Sequence, residues 1–320
     1  GSEMCIRDSL FGDPRTRRGP CVSHMESQWE WKGPVVDHHI HLDPKGEGLE
    51  AVKSFKSAGG TSIILVHKPN FQDLPETIDD YRSVYSDTIN LAESVRRNTG
   101  VKVGVILGPH PVAMDHQINS LGLENATELH LQAVEMALEF VQERKAIGLG
   151  EVGRPHYPIS DDQWNNANKT LLEVLKMANE YDAAVQLHVE ENFSETYQSI
   201  DSIRKKAGLD KKHTVRHYAS PNLSEAYRSG LPCTVNVGKG SISKIIQTWT
   251  EGSPPWGMET DFLDDPARPG AVLGPKTVPK RVKELCQTWH QSGRSTAGLD
   301  ELLHRVNLDW IESTYGWSPL

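Results

Sequence analysis

From Val35 onward the chain repeats one unit: a short apolar, β-branched run, then a polar loop, then a segment whose apolar residues recur at helical spacing. This repetition constrains the fold more than any other feature, because strands that alternate with helices build a parallel sheet covered by those helices. The strand candidates are Val35–His41, Ser62–His67, Lys102–Leu107, Ile147–Glu151, Ala184–His188, Thr214–His217, Thr234–Val237 and Met258–Asp261. Helices are expected between them over Thr77–Asn98, Ala126–Arg144, Asp161–Glu180 and Ser194–Ala207, several opened by Ser, Thr or Asp and closed near Gly. Eight strands with intervening helices predict the α/β class and a single (β/α)8 TIM-type barrel. The rival, an open doubly wound sheet, would carry a G-x-G-x-x-G phosphate loop after its first strand, and the sequence has none there. After the last strand comes an irregular Pro/Gly-rich stretch, Asp264–Pro279, which serves either as a lid or as surface padding. Extra C-terminal helices follow over Pro279–Gln291 and Leu299–Tyr315.

A chain of 320 residues fits one such barrel without a second domain. Residues 1–24 mix Gly, Pro, Ser and charges, Arg15, Arg17 and Arg18 among them, without hydrophobic period. They read as a disordered or artefactual leader ahead of Met25, the expected natural start, which leaves residues 25–320 as the barrel domain. With no run of about 18 apolar residues and no basic-then-apolar signal pattern, a cytoplasmic protein is expected. Cys5, Cys21, Cys233 and Cys286 are scattered without C-x-x-C spacing, which suits a reducing compartment. A formal charge of -9 repels phosphate-rich polymers as a whole, so extended duplex binding is not expected and any nucleic-acid contact needs a local basic patch.

Active sites of parallel barrels form at the C-terminal ends of the strands, so the residues that end each strand carry the chemistry. The first strand ends in His39-Ile40-His41, and the strand period of two puts both imidazoles on one face, where they can share a metal ion. The fourth ends in Glu151, the fifth in His188, the sixth in His217 and the eighth in Asp261. Imidazole nitrogen with carboxylate oxygen is the donor mixture that borderline divalent metals favour. A glutamate in the apolar setting Ile147-Gly148-Leu149-Gly150-Glu151-Val152-Gly153 is costly to bury unless it is paired or bound to a cation. His39, His41, Glu151, His188, His217 and Asp261 are therefore the expected metal ligands. One or two divalent ions are expected, with Zn, Mg and Mn all open.

These residues resemble the TatD-like hydrolases of the amidohydrolase superfamily over Val35 to about Val278. Asp37-His38-His39-Ile40-His41 is similar to the family's D-x-H-x-H, Gly108-Pro109-His110-Pro111 to its G-x-H-P, Gly150-Glu151-Val152-Gly153 to its G-E-I/V-G, and Glu259-Thr260-Asp261 to its E-T-D. His188 resembles the first downstream histidine, and His217, trailed by Ser224-Glu225-Ala226 and Gly230, the second. The resemblance implies that Glu151 bridges two ions, with His39, His41 and Asp261 on one and His188 and His217 on the other. Glu151 and Asp261 would be the catalytic carboxylates, Asp261 taking the proton of the attacking water. It also implies a substrate or ligand hydrogen bond from His110, and a similar one from His67. Arg154-Pro155 stands where the family has Leu-Asp, and Tyr218-Ala219-Ser220 and the segment after Asp261 also depart from it.

Three cations just beyond strand ends, Lys68, Arg154 and Lys239, are candidate substrate contacts, with Lys239 nearest the usual phosphate position of barrels. They point to an anionic substrate. The expected activity is phosphodiester cleavage of the 3′-exonuclease or deoxyribonuclease type by a metal-activated water, on a small anionic substrate or a single-stranded nucleic-acid end. The alternative is an amide, ester or lactone hydrolase acting on a small anionic molecule. Trp164, Trp256 and Trp310 serve either base stacking or core packing.

Overall fold

The computed structural model describes residues 30–265 and 273–320. The expectations about the leader, Met25, Cys5 and Cys21, and the middle of Asp264–Pro279, lie outside them. Nine strands run through the described residues: β1 (Val36–His41), β2 (Ser62–Val66), β3 (Lys102–Leu107), β4 (Gly148–Gly153), β5 (Val185–His188), β6 (Thr214–Ala219), β7 (Cys233–Asn236), β8 (Trp256–Glu259) and β9 (Phe262–Leu263). The helices are α1 (Leu49–Ser57), α2 (Ile78–Thr99), α3 (Pro111–Leu121), α4 (Leu123–Gln142), α5 (Asp161–Glu180), α6 (Phe193–Ala207), α7 (Glu225–Arg228), α8 (Ser241–Thr248), α9 (Thr277–Gln291), α10 (Thr296–His304) and α11 (Trp310–Tyr315).

All strand pairs are parallel, in the order β8-β7-β6-β5-β4-β3-β2-β1-β9. The two ends of that order, β8 and β9, are consecutive in the chain, separated by Thr260 and Asp261. The eighth expected strand is thus divided in two, because Asp261 turns to φ 48° and interrupts the extended run. Asp37 stitches this break to β1: its carboxylate accepts from the Thr260 hydroxyl at 2.6 Å and the Thr260 amide at 3.0 Å, while the Asp261 amide donates to the His39 carbonyl at 3.0 Å. The aspartate of D-x-H-x-H therefore holds a seam.

Strand alternation sorts two cores. Ile63, Leu65, Val103, Val105 and Leu107 face outward and pack under the helices with Phe55, Tyr85, Val95 and Leu138. Their neighbours Ile64, Val66 and Ile106 face inward, with Val36 and Val215, against Trp310, Ile311 and Tyr315. The C-terminal segment is pinned to the starts of β1 and β2: the Val36 amide donates to Asn307 Oδ1 at 3.1 Å, and the Ser62 hydroxyl to the Pro319 carbonyl at 2.7 Å.

Three helices escape the sequence pattern. α1 has no local cap; Asp264, far along the chain, accepts from the Glu47 and Gly48 amides at 2.7 Å each. α3 abuts α4 at Gly122, and α8 is a short Ile- and Ser-rich run. The expected helix Leu299–Tyr315 is α10 and α11 joined by a π turn over Arg305–Asp309. Cys233 and Cys286 are buried. Among the described residues no helix is long and apolar enough to cross a membrane.

Candidate active site

His39 and His41 stand side by side because the period of two brings them to the inner face of β1. Their orientation is set from behind. His39 Nδ1 donates to Gln186 Oε1 at 2.7 Å and His41 Nδ1 to the Val66 carbonyl at 3.0 Å, so each ring turns its Nε2 toward the other, 3.1 Å apart. Two carboxylates complete the ring of donors. Asp261 Oδ1 lies 3.7 Å from His39 Nε2 and 3.5 Å from His41 Nε2, and Glu151 Oε2 lies 3.4 Å from His41 Nε2. Ligands at tetrahedral corners around an ion bound at 2.0–2.1 Å are separated by about 3.4 Å. The donor set therefore fits a divalent cation in both chemistry and spacing.

The electrostatics agree. Burial holds His39 down at about 3, so its ring is neutral with a lone pair facing inward. Burial also opposes charge on His41, yet the hydrogen bonds it donates to Asp261 and Glu151 lift it to about 10, a sign of how strongly these carboxylates draw positive charge. Glu151, despite the burial that would raise it, is held well below the usual carboxylate range by His217, His110 and His188.

Glu151 joins a second group. Its Oε1 lies 2.6 Å from His217 Nε2 and 2.9 Å from His188 Nδ1, and those two nitrogens are 3.0 Å apart. The approach of β4 to β5 that permits this needs glycine: a Cβ on Gly153 would sit 2.0 Å from the His188 carbonyl oxygen. Three donor triplets capable of holding an ion emerge, His39/His41/Glu151, His39/His217/Asp261 and His110/Glu151/His188, so the six expected ligands converge around one carboxylate.

The sequence model of the family described as TatD related DNase matches residues 36–299. The chain belongs to that family. An uncharacterised protein of Methanocaldococcus jannaschii is 33% identical over 258 residues, 79% of this chain and 88% of its own length. Among solved structures, the TatD homologue YjjV of Escherichia coli superposes with a TM-score of 0.56 at 20% identity, covering 88% of this chain and 98% of that one. A TatD-family hydrolase of Entamoeba histolytica gives 0.55 at 12%, covering 90% and 99%. These two likenesses establish the shared α/β fold, and family membership makes the chain a TatD hydrolase.

Within this TatD chain His110 reaches the site as expected. It caps α3, its Nδ1 accepting from the Val112 amide at 3.1 Å, which leaves Nε2–H pointing inward, 3.8 Å from Glu151. Burial keeps the ring neutral, so His110 is a hydrogen-bond donor. His67 turns away, bonded to Thr88 at 2.9 Å and set edge-on to Tyr85.

The expected cations do not meet at the TatD site. Arg154 is fully buried on the outer side of the sheet, donating to Glu190 at 2.6 Å and to Asn168 and Ser199 at 2.9 Å, over the Trp164 ring. Strand parity explains this correction: with Glu151 pointing inward, Arg154, three residues on, points outward. Lys68 is committed to Asp43 at 2.6 Å and the Asp264 carbonyl at 2.8 Å, and so secures the loop that caps α1. Lys239 is exposed in the β7–α8 turn, outside the lining of the cavity. Of the tryptophans, Trp256 is buried in β8 and Trp310 stacks on His38, so both serve the core.

The TatD site opens into a cavity of about 860 Å³, lined on one side by His188, His217 and Asp261 and farther out by Tyr218, Phe193 and Lys244. Sequence reasoning overlooked His156, whose Nδ1 lies 2.7 Å from His188 Nε2. It also overlooked Lys244, Gln186 behind His39, and Glu259, which accepts from the Tyr218 amide at 2.7 Å. The E-T-D motif signalled Glu259; His156 and Lys244 lie on a loop and a short helix, where no period assigns a face.

Proposed function

We propose that this chain is a metal-dependent phosphodiesterase of 3′-exonuclease or deoxyribonuclease type, acting in the cytoplasm on single-stranded nucleic-acid ends or small anionic phosphodiesters, with its strands read as a closed (β/α)8 barrel. The observation that carries this reading is the ring of His39, His41, Glu151 and Asp261 donors, 3.1–3.8 Å apart, at the edge of the cavity. With His188 and His217 beyond Glu151, these residues would hold one or two divalent ions, Zn, Mg or Mn. A divalent ion supplies a water acidic enough to attack near neutral pH and polarises the oxygen of the bond to be cut.

The chain's own groups do the rest. Although burial opposes it, a hydrogen bond from His41 keeps Asp261 acidic, so this carboxylate lines the cavity ionised and takes the proton of the attacking water. His110 Nε2–H donates to an anionic oxygen of the substrate. Gln186 and the Val66 carbonyl fix the imidazoles, so little reorientation is required when the substrate arrives.

The test is hydrolysis of 3′-labelled single-stranded DNA and of bis-nitrophenyl phosphate by metal-reconstituted protein, with nitrophenyl acetate as the acyl alternative. Phosphodiester cleavage that falls more than about 100-fold in the His39→Ala/His41→Ala variant is expected. Cleavage of the acetate alone would transfer the site to acyl chemistry.

A further inference from the structure

Six non-glycine residues among those described have positive φ: Arg144, Asp182, Phe193, Tyr218, Ser229 and Asp261. Three have an ordinary reason. Arg144, Asp182 and Ser229 follow the C-terminal ends of α4, α5 and α7, where a left-handed residue closes a helix. The other three line the same cavity. Asp261 is short and polar and tolerates that conformation. Phe193 at φ 48° and Tyr218 at φ 52° do not, since bulky side chains are rarely found there.

Both are held in place by their surroundings. The Tyr218 amide is fixed by the buried Glu259 carboxylate at 2.7 Å. Before Phe193, the Asn192 amide donates to Thr196 Oγ1 at 3.0 Å and the Asn192 side chain to Glu195 at 2.6 Å. The rings so displayed are not packed away: Phe193 is 69% and Tyr218 54% exposed. The other exposed large hydrophobic residues described are Phe71, Leu123 and Leu320, and Phe71 stands edge-on to His110, 5.8 Å away between ring centres. Among the described residues, three of these five exposed large hydrophobics are thus aromatic, two lining the cavity and the third beside His110. Strained backbone maintained by neighbours, with no gain in burial, marks a position selected for contact with something else.

We propose that Tyr218 and Phe193 form an aromatic clamp that stacks on a planar ring of the substrate, a nucleobase adjoining the hydrolysed bond, with Lys244 serving the attached phosphate. The clamp deepens the phosphodiesterase reading and rests on it for the identity of the ring. Flat rings suit the surface because a base offers a π face to each aromatic whatever its sequence, so the clamp predicts base dependence with little base preference. The cavity has room for a base and its sugar phosphate together.

The experiment is isothermal titration of the full chain, chelator-treated so that nothing is cleaved, with a tri-deoxyadenylate and with the same trinucleotide lacking its bases. The wild type should bind the base-bearing form at least about ten-fold more tightly. Tyr218→Gly, which removes the ring and relieves the left-handed strain, should melt at or above the wild-type temperature and lose most of that ratio; Tyr218→Phe should keep it. Lys244→Ala should weaken both ligands alike. Equal binding of the two ligands by the wild type, no binding of either, or an unchanged ratio in Tyr218→Gly overturns the clamp. The two readings fail separately: base-dependent binding without DNA hydrolysis sinks the phosphodiesterase reading alone, and hydrolysis with base-independent binding sinks the clamp alone.

Discussion

Trp310, Ile311 and Tyr315 fill one part of the curled sheet's interior with apolar side chains, and Asn307 and Ser62 secure that packing through hydrogen bonds to the chain. At the C-terminal ends of the strands the same interior holds His39, His41, Glu151, His217 and Asp261, which turn imidazole nitrogens and carboxylate oxygens toward one another. One region stabilises the fold by burying surface. The other gathers charge and keeps Asp261, Tyr218 and Phe193 in left-handed backbone beside it. The contrast teaches a division of labour: the apolar plug holds the curled sheet together, while the site keeps closely set ionisable groups and left-handed backbone in place for chemistry.

The comparison breaks most visibly at Glu151. Glu151→Gln should lower metal-dependent turnover by more than about 100-fold, beyond what losing a residue behind the ligands costs. Its melting temperature in chelator should move far less than that of a plug variant, as measured by paired kinetics and calorimetry. Trp310→Ala should show the converse, a loss of about 3–5 kcal/mol in unfolding free energy with metal content per folded molecule unchanged. Equal stability losses in the two variants would erase the distinction.

The smallest effect concerns acid. His38 lies against Trp310, 5.2 Å between ring centres and nearly parallel, and burial lowers it from its ordinary 6.5 to about 3. An unfolded chain binds that proton below pH 6.5 whereas the folded one refuses it until about 3, so stability drains as pH falls through this window. His38→Phe should flatten the acid limb of melting temperature against pH in chelated protein. An unaltered limb would remove His38 from the account. His41, raised to about 10, acts with the opposite sign, its contribution present below 6.5 and lost as pH rises toward 10.

Sequence periodicity revealed much of this, and it is clear where it stopped. The H-x-H pair, Glu151, His188, His217 and Asp261 were legible because a strand's period assigns a face and its end assigns a depth. Arg154 was misplaced although the same parity, counted three residues past Glu151, sends it outward. Lys68 could not be read, because the Asp43 carboxylate and Asp264 carbonyl that claim it come from separate loops. α1 was invisible for a related reason, its cap being Asp264. His156 lies on a loop, Lys244 on a short helix and the displayed ring of Phe193 at a left-handed helix start, placements that no strand period encodes.

The hydrogen bonds that join Val36 to Asn307 and Ser62 to Pro319 span 271 and 257 positions of sequence. During synthesis the opening strands emerge long before the segment that must seal them, and their inner apolar faces have no cover until it arrives. Such distant pairing slows folding and leaves the nascent sheet open to association with other chains. A ribosome halted after α9 would display a sheet still lacking its floor, and a chaperone would find its binding surface there.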